Sequence, residues 1–287
     1  MRVCVTGGSG FIGRYVCAAL KAAGHYVLVI DPMPPGECDE WRAADITSPL
    51  AVVPGLDAVI HLAALANPRE CDANPGKAFN HNVNGTHQVL KMALESGARK
   101  IVFASSAHVY GISPRYLPTP ETHSLYLQNT YTLCKILGEQ LCQLYFDNHG
   151  LSYTVLRLFN TFGLGQSLGY FIPDQIEKAK AGKIDLSGSN ITKDWIYVSN
   201  VASAFVRALM TDYVGAINVG SGIQTDLGTI ARFIAEVYKA ELICHPVENP
   251  TRMQADWGRA KRVLGWGPTI SLEEGLGRIL QVPVGVA

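Results

Sequence analysis

The chain has 287 residues, of which 48% are hydrophobic and 17% charged, and its 24 basic residues balance 24 acidic ones. This size is sufficient for a large core, in one domain or one and a half. Balanced charge gives no reason to expect nucleic acid or an anionic membrane as a partner, and no apolar run reaches the roughly 18 residues of a membrane-spanning helix.

The seven cysteines are scattered along the chain and form no Cys-x-x-Cys pair. Because cysteine and histidine are nowhere clustered at metal-ligand spacing, we expect no metal site. Met1 is followed directly by an apolar strand, not by the basic and apolar regions of a signal peptide. An odd number of cysteines in such a chain is typical of reduced thiols, so we expect a cytoplasmic location.

The first predicted strand, residues 2–6, leads through a glycine-rich turn into a helix near 11–23. Gly7, Gly10 and Gly13 follow the pattern G-x-x-G-x-x-G. These glycines suit a tight turn, a close approach of backbone to a pyrophosphate, and close packing of helix on strand. The free N–H groups and positive dipole end of the helix favour phosphate. The pattern predicts a dinucleotide site; the alternative is a strand–turn–helix that binds nothing.

A second predicted strand, residues 26–30, is followed by Asp31. This acid lies about 20 residues past the glycines, where a carboxylate that binds the adenosine ribose is expected. A carboxylate repels the 2′-phosphate of NADP, so Asp31 favours NAD. Arg14, directly after the last glycine, leaves some room for NADP.

The first half of the chain continues to alternate apolar runs with helical patterns. Strands are predicted at 57–62, 100–105 and 152–158, helices near 76–97 and 125–149, and an irregular segment at 32–56 with a weak strand near 41–44 and a short helix near 48–53. This alternation is typical of a parallel sheet covered on both faces. We predict an α/β fold with a Rossmann-type doubly wound parallel sheet over residues 1–160.

From about residue 160 the elements become shorter and mixed. They are predicted as helices near 171–181, 199–211, 226–239 and 271–281, and as extended segments at 184–186, 194–198 and 217–220. We predict a small mixed α/β substrate-binding lid over residues 161–287, with segments near 190–220 completing the large sheet.

Tyr131 and Lys135 are four residues apart on a predicted helix, so their side chains share one face. A free tyrosine has a pKa of about 10, and a nearby ammonium, helped by a positive nicotinamide ring, favours the phenolate. Ser105 and Ser106 end a predicted strand, and the carboxyl ends of parallel strands face the ligand crevice. A serine there can hydrogen-bond a substrate hydroxyl or the tyrosine oxygen. The alternative for a lone Y-x-x-x-K pattern is a solvated helix face.

Further motifs occur in an order that is typical of one family. They lie at residues 6–13, 59–64, 82–86, 105–111, 131–135, 157–160, 194–198 and 264–268. On these segments the chain resembles the extended short-chain dehydrogenase/reductases, in the nucleotide-sugar epimerase/dehydratase group, over essentially its whole length.

The resemblance implies NAD as cofactor, a UDP-, dTDP- or GDP-linked sugar as substrate, and a catalytic triad of Ser106, Tyr131 and Lys135. The cofactor contacts that it implies are Gly7, Gly10, Phe11, Ile12, Gly13, Asp31, Asp45, Ile46, Leu62, Ala63, Ala64, Asn82, Ser105, Tyr131, Lys135 and Leu158. The substrate contacts that it implies are Ser106, Ala107, His108, Tyr131, Asn160, Lys193 and Arg252.

Some of these implied roles have ordinary structural alternatives. Asp45 and Ile46 would hold the adenine. For Asn82, expected in the cofactor cleft, and for Asn160, expected at the sugar or its diphosphate, the alternative is a hydrogen bond within a helix or loop. Arg252 would lie near the diphosphate, and the alternative is a solvated charge.

Two departures from the family pattern bear on the reaction. Lys193, expected near the diphosphate, replaces a usual arginine, which keeps the charge but loses the bidentate fork. After Ser106, related 4,6-dehydratases carry an Asp-Glu pair and related decarboxylases a glutamate, whereas this chain has Ala107 and His108. Eliminating water needs an extra acid and base, which disfavours the dehydratase. The missing glutamate disfavours the decarboxylase.

An epimerase and a ketoreductase remain. We predict C4 epimerisation of a UDP-sugar through a 4-keto intermediate with retained NAD. The alternative is an NAD(P)H-dependent reductase of a nucleotide-linked 4-keto-6-deoxysugar. The intact triad argues against a non-catalytic NAD-binding regulator.

The predicted helices 76–97 and 125–149 carry apolar residues on more than one face. The resemblance implies a homodimer through a four-helix bundle built from such helices. Ordinary core packing explains much of the same pattern.

Overall fold

The structure, a computed structural model, describes residues 1–282, and over these residues three β-sheets form. The strands are β1 (Arg2–Thr6), β2 (Tyr26–Ile30), β3 (Glu40–Arg42), β4 (Ala58–His61), β5 (Lys100–Ser106), β6 (Ser152–Leu158), β7 (Asn160–Phe162), β8 (Lys183–Ser187), β9 (Thr192–Tyr197), β10 (Gly215–Val219), β11 (Gln224–Asp226) and β12 (Glu241–His245). The α-helices are α1 (Phe11–Ala22), α2 (Pro68–Ala73), α3 (Pro75–Phe79), α4 (Gly85–Glu95), α5 (Thr130–His149), α6 (Phe171–Lys180), α7 (Val198–Leu209), α8 (Leu227–Tyr238), α9 (Gly258–Leu264) and α10 (Leu272–Leu280).

The largest sheet is parallel, in the order β10-β6-β5-β4-β1-β2-β3. Its strands are buried on both faces because helices cover each side. On one face Val3 and Val5 pack in a cluster with residues of α1 and α7. On the other face Cys4 packs in a cluster with residues of α4 and α5. The predicted doubly wound Rossmann-type sheet is confirmed.

The strand order reverses at β1, which pairs with β2 on one side and β4 on the other. Ligands of open α/β sheets bind at such a switch point, beyond the carboxyl ends of the strands. This edge of the sheet is where Thr6, His61 and Ser106 end their strands. The predicted dinucleotide turn and the predicted serines therefore lie along one crevice.

Two smaller sheets lie outside the large one. In one, β9 pairs with β7 and β11; in the other, β8 pairs with β12. The large sheet is completed by β10 but not by β9, so the expectation for residues 190–220 is correct only for its last strand. The division into two domains at residue 160 stays a prediction.

Two local predictions differ from the structure. No helix forms at residues 48–53, where Pro49 and Pro54 interrupt the segment and the Val53 amide donates to Ser96 Oγ over 2.9 Å. The single helix predicted near 76–97 is divided by a π-helical turn at Asn80–Asn84 between α3 and α4. Such turns are frequent at functional sites. None of the helices in residues 1–282 is long and apolar enough to cross a membrane.

Candidate active site

The glycine turn between β1 and α1 is shaped for a close backbone approach. Gly7 has φ of +76°, and a Cβ there would lie 2.6 Å from the Ala63 amide nitrogen. A Cβ on Gly13 would lie 2.1 Å from the Gly7 carbonyl oxygen, so helix and turn touch at that point. Gly10 caps α1 without any side-chain hydrogen bond to the first N–H groups. The helix end therefore fits a pyrophosphate.

Asp31 follows β2 at the same edge and is buried, with 9% of its surface exposed. Its carboxylate accepts hydrogen bonds from the backbone N–H groups of Ser9 (3.1 Å) and Met33 (2.9 Å). Arg14 is turned away and donates to the Gly165 carbonyl over 2.8 Å. Arg14, which could otherwise have bound the 2′-phosphate of NADP, is thus engaged by Gly165. The charged side chain beside the glycine turn is Asp31.

The first turn of α1 also reaches the lid. Phe11 and Ile12 are partly buried against the lid cluster, which includes Phe162 and Trp195. These two residues, predicted as cofactor contacts, thus connect the glycine turn to the lid. Any ligand at the turn therefore lies beside the lid's own core.

The segment after β4 lines the crevice through its backbone. The amides of Leu62 and Ala63 both donate to the Thr6 carbonyl over 3.1 Å, which bends residues 62–64 across the end of β1. Asn82, in the π-helical turn, accepts from the Leu65 amide (2.7 Å) and donates to the Leu65 carbonyl (2.9 Å). Its amide is therefore used within the protein, as the alternative interpretation had it, and it positions this segment.

Asp45 and Ile46 lie beyond β3. The Asp45 carboxylate accepts from the Thr47 amide over 2.9 Å, a contact that lowers the pKa of the Asp45 carboxyl. Ile46 is 5% exposed and packs in the core beside Gly85. Most of the Ile46 surface is thus committed to packing, whereas Asp45 is exposed.

The three predicted catalytic residues converge at the carboxyl end of β5. Ser106 is its last residue, and Tyr131 and Lys135 lie one turn apart near the start of α5. This helix begins at a capping box formed by Asn129 and Thr132, which sets where its first turn lies. Lys135 Nζ lies 5.8 Å from the centre of the Tyr131 ring and donates to the Ala104 carbonyl over 2.8 Å.

Burial dominates the protonation of this group. It raises the pKa of the Tyr131 phenol above its usual range, and the Ser106 hydroxyl acts against that rise. Burial also lowers the pKa of the Lys135 ammonium to about 8. Deprotonating Tyr131 therefore depends on further positive charge, of the kind expected from the nicotinamide ring.

Ser105 and Ser106 serve different partners, because successive side chains of a strand point to opposite faces. Ser105 Oγ donates to Glu139, which forms a buried ion pair with Arg157 of 2.6 Å. The Ser105 side chain is therefore not free for the cofactor. Arg157 also donates to the Tyr110 hydroxyl over 2.9 Å. This network was not predicted from the sequence, although the charged Arg157 inside an apolar strand indicates that a buried partner is needed.

The turn after β5 brings His108 to Tyr131, the tyrosine predicted to be catalytic. Residues Ala107–Tyr110 form a 3₁₀ turn, in which the His108 amide donates to Ser106 Oγ over 3.2 Å. The ring of His108 meets the edge of the Tyr131 ring, with centroids 6.3 Å apart. Burial, and then the charge of Lys193, lower the pKa of His108 to about 4. His108 is therefore neutral at pH 7, and Ala107 beside it is buried.

The lid supplies the remaining predicted contacts. Lys193 lies on β9, where burial lowers the pKa of its ammonium to about 8. Asn160 starts β7 and pairs with Trp195 of β9. Arg252 is exposed and bridges to Thr192. Lys193 Nζ contacts the Met253 sulfur at 3.7 Å, and Met253 packs in a cluster with Ala107, whereas Arg252 lies on the surface.

Two further residues complete this edge of the molecule. Leu158 ends β6 with 9% of its surface exposed and belongs to the core. Asp194, which the sequence analysis did not single out, accepts from the backbone amides of Ser221 (2.6 Å), Gly222 (2.8 Å) and Ala255 (2.9 Å). It therefore joins three lid segments behind Lys193. Within the described part of the chain, no group of three or more His, Cys, Asp or Glu side chains could hold a metal ion.

Comparison with known proteins gives the same family for most of the chain. The model of the NAD dependent epimerase/dehydratase family matches residues 3–220. A putative UDP-glucose 4-epimerase of Methanocaldococcus jannaschii is 32% identical over 300 residues, 97% of this chain and 97% of that protein. UDP-glucuronic acid decarboxylase 6 of Arabidopsis thaliana is 31% identical over 302 residues, 96% of this chain and 87% of that protein.

Solved structures resemble it over nearly its full length. The UDP-glucose 4-epimerase of Thermotoga maritima, with UDP-glucose, has a TM-score of 0.87 and 26% identity and covers 98% of both chains. MoeE5 in complex with UDP-glucuronic acid and NAD has a TM-score of 0.88 and 25% identity, again over 98% of both chains. With a glycine turn and an acid that fit NAD, and with these matches, the chain belongs to the NAD-dependent epimerase/dehydratase family, whose cofactor is NAD.

Proposed function

We propose that this protein is an NAD-dependent nucleotide-sugar epimerase that inverts C4 of a UDP-sugar through a 4-keto intermediate. The observation that carries the proposal is the convergence of Ser106, Tyr131 and Lys135 at the crevice, with His108 instead of a carboxylate beside the tyrosine. The residues that follow Ser106 are Ala107 and His108, neither of which is a carboxylic acid. The second acid and base that a dehydratase needs are therefore missing from this position.

Ser106, Tyr131 and Lys135 have separate roles in the proposed reaction. The Tyr131 phenolate takes the proton from the C4 hydroxyl, and Ser106 orients that hydroxyl by a hydrogen bond. NAD held at the glycine turn and Asp31 would supply the acceptor and donor of the hydride at C4. Tyr131 then gives the proton back to the new C4 hydroxyl. Lys135, held by Ala104, keeps a cation beneath the ring throughout.

The test is turnover of nucleotide-sugars by the purified protein with NAD. We expect UDP-sugars to be converted to a mixture of C4 epimers, visible by NMR, and Tyr131→Phe to form none. Reduction of a 4-keto-6-deoxysugar with stoichiometric loss of NAD(P)H and no epimer would favour the reductase instead. Release of CO₂ from UDP-glucuronic acid as the main reaction would favour the activity of the plant relative.

We further propose that the protein is a homodimer in the cytoplasm. Leu144 on α5 is 50% exposed, and Tyr145 of the same helix hydrogen-bonds to His87 of α4 over 3.2 Å. These two helices therefore present one continuous surface with an apolar residue in it, which suits a four-helix contact between copies. Light scattering of the purified protein measures the oligomeric state directly.

A further inference from the structure

We infer that Arg157 is a positioning residue of the active site: by occupying the Glu139 carboxylate, it leaves the Lys135 ammonium to Tyr131. Arg157 thus acts on the tyrosine through two other side chains. The inference rests on the proposed function in one respect, because it takes Tyr131 as the base whose charge Lys135 stabilises. It holds for an epimerase and a reductase alike, since both exchange a proton with that tyrosine.

Lys135 and Glu139 are placed to form an ion pair that is absent from residues 1–282. They lie four residues apart on α5, so they share one face of the helix, and helical side chains lean toward the N-terminus, which directs Glu139 toward Lys135. Both are buried, with 6% of each exposed. Yet Glu139 pairs with Arg157, at 2.6 Å. Lys135 Nζ instead donates to the Ala104 carbonyl over 2.8 Å and lies 5.8 Å from the centre of the Tyr131 ring.

Arg157 holds the Glu139 carboxylate with two of its nitrogens. Nε donates to Oε1 over 3.0 Å and Nη2 to Oε2 over 2.6 Å, a bidentate geometry that a lysine cannot reproduce. Ser105, which pairs with Arg157 across β5 and β6, donates to Oε1 of the same carboxylate. Within the described part of the chain, Glu139 thus accepts three hydrogen bonds, none of them from Lys135.

The remaining donors of Arg157 fix the arginine itself. Nη1 donates to the Tyr110 hydroxyl over 2.9 Å and to the Glu121 carbonyl over 3.2 Å. The Tyr110 hydroxyl in turn donates to Asn218 Oδ1 over 2.7 Å. The guanidinium is therefore held by segments outside α5. A shift of Glu139 toward Lys135 would break its bonds to a fixed partner.

The other titratable groups that pack around Lys135 and Tyr131 are neutral at pH 7, so Glu139 is the carboxylate that competes for the ammonium. Burial lowers the pKa of the histidines below neutrality and raises the pKa of the thiols and of the second tyrosine. These groups are His61 (pKa about 3), His108 (about 4), Cys71, Cys134 (about 11) and Tyr170.

Tyrosinate absorbance of the NAD-loaded protein measures the pH at which Tyr131 ionises, once the spectrum of the same protein with Tyr131→Phe has been subtracted. In Arg157→Met, the freed carboxylate should draw the Lys135 ammonium away from Tyr131. We expect the ionisation to move up by about one pH unit, an approximately tenfold loss of phenolate at a given pH. Arg157→Met/Glu139→Gln removes the competing carboxylate as well, so the ionisation should return to the wild-type pH.

Two further variants control this comparison. Arg157→Lys keeps a charge facing Glu139 but loses the bidentate fork, so the rise should be smaller, about half a pH unit. It takes the place of Arg157→Met if the uncompensated carboxylate prevents folding, which circular dichroism and NAD binding show. Arg278→Met removes an exposed arginine from its ion pair with Glu274 on α10 and should ionise Tyr131 at the wild-type pH.

Two outcomes overturn the inference: an unchanged ionisation of Tyr131 in the Arg157 variants, or a rise that the additional Glu139→Gln does not reverse. The second is expected if Arg157 only supports the fold around the triad. Turnover of UDP-glucose is measured separately on the same proteins. A reversible rise in a protein that forms no C4 epimer would leave the inference standing and contradict the proposed epimerisation; epimers formed by the wild type, without the rise in the variants, would do the reverse.

Discussion

The cofactor end and the sugar end of the crevice are built in different ways. At the cofactor end, one stretch of chain from β1 to Asp31 supplies the turn, the helix end and the acid, and backbone N–H groups hold the carboxylate. At the sugar end, β5, α5 and β9 each contribute side chains, and Lys193 has a sulfur atom as its partner. The first end is thus built from one local stretch of chain, whereas the second depends on how distant segments pack together.

The largest expected effect is the loss of turnover in Lys135→Met, which changes the sugar end of the crevice. Removing the ammonium beneath Tyr131 should lower kcat by roughly 10²–10⁴-fold, the usual range for losing acid–base assistance. NAD affinity should fall much less than kcat, because the glycine turn is untouched and Lys135 is one of many predicted cofactor contacts. Lys91→Met, on the exposed surface of α4, is the control. Wild-type kcat in Lys135→Met, measured with the best substrate found, would show that the cation is dispensable.

Gly13→Ala is expected to disrupt the glycine turn at the cofactor end of the crevice. The added Cβ would lie 2.1 Å from the Gly7 carbonyl, so the turn has to move away from the helix end. We expect the free energy of unfolding to fall by about 1–3 kcal/mol and NAD affinity to fall with it, as for other overpacked sites. Thermal unfolding and NAD titration measure both. Gly36→Ala, with open space around its Cβ, should change neither, and equal behaviour of the two variants would contradict this account.

A smaller effect should distinguish the two nicotinamide cofactors. Asp31→Asn keeps the side chain's shape but removes the charge that repels a 2′-phosphate. We expect the preference for NAD over NADP, measured by titration with each, to fall by about tenfold, roughly 1.4 kcal/mol. The exposed Glu37→Gln is the control. An unchanged preference would mean that other groups select NAD.

The smallest expected effect is the pH dependence of nucleotide-sugar binding, because Lys193 is a predicted contact of the diphosphate. Burial lowers the pKa of Lys193 to about 8, and a bound anion raises it. Affinity should therefore be full below pH 8 and fall by about threefold to tenfold as pH rises to 9. His108, with a pKa of about 4, stays neutral over this range. Because Lys135 also titrates near 8, binding is measured, not turnover; Lys193→Arg should remove the decrease.

Features of the cofactor end could be predicted from the sequence more fully than those of the sugar end. The glycine turn, Asp31 and most of the first five long strands follow from spacing and apolar pattern, which are local. The two adjacent serines show the limit. Period-two alternation separates Ser105 from Ser106, but only the packed sheet shows that Ser105 faces Glu139 and Arg157.

The elements after residue 160 were also harder to predict, because their partners are distant along the chain. The strand at 192–197 has an apolar half that suits a place in the large sheet, yet it pairs with β7 and β11. Nothing local in Asn82 indicates that both ends of its amide are used by Leu65, a residue 17 positions away. Pairings over such separations depend on how the whole chain packs.

The dinucleotide turn, the parallel sheet and the Tyr131–Lys135 pair can be predicted from the amino-acid sequence, because each depends on the spacing of residues within one or two neighbouring elements. That Lys193 contacts Met253, and that Arg14 and Asn82 are occupied within the protein, is visible in the folded structure alone. Those contacts join segments of chain from 17 to more than 150 residues apart. Their partners are selected by packing of the lid against the sheet, which no local pattern records.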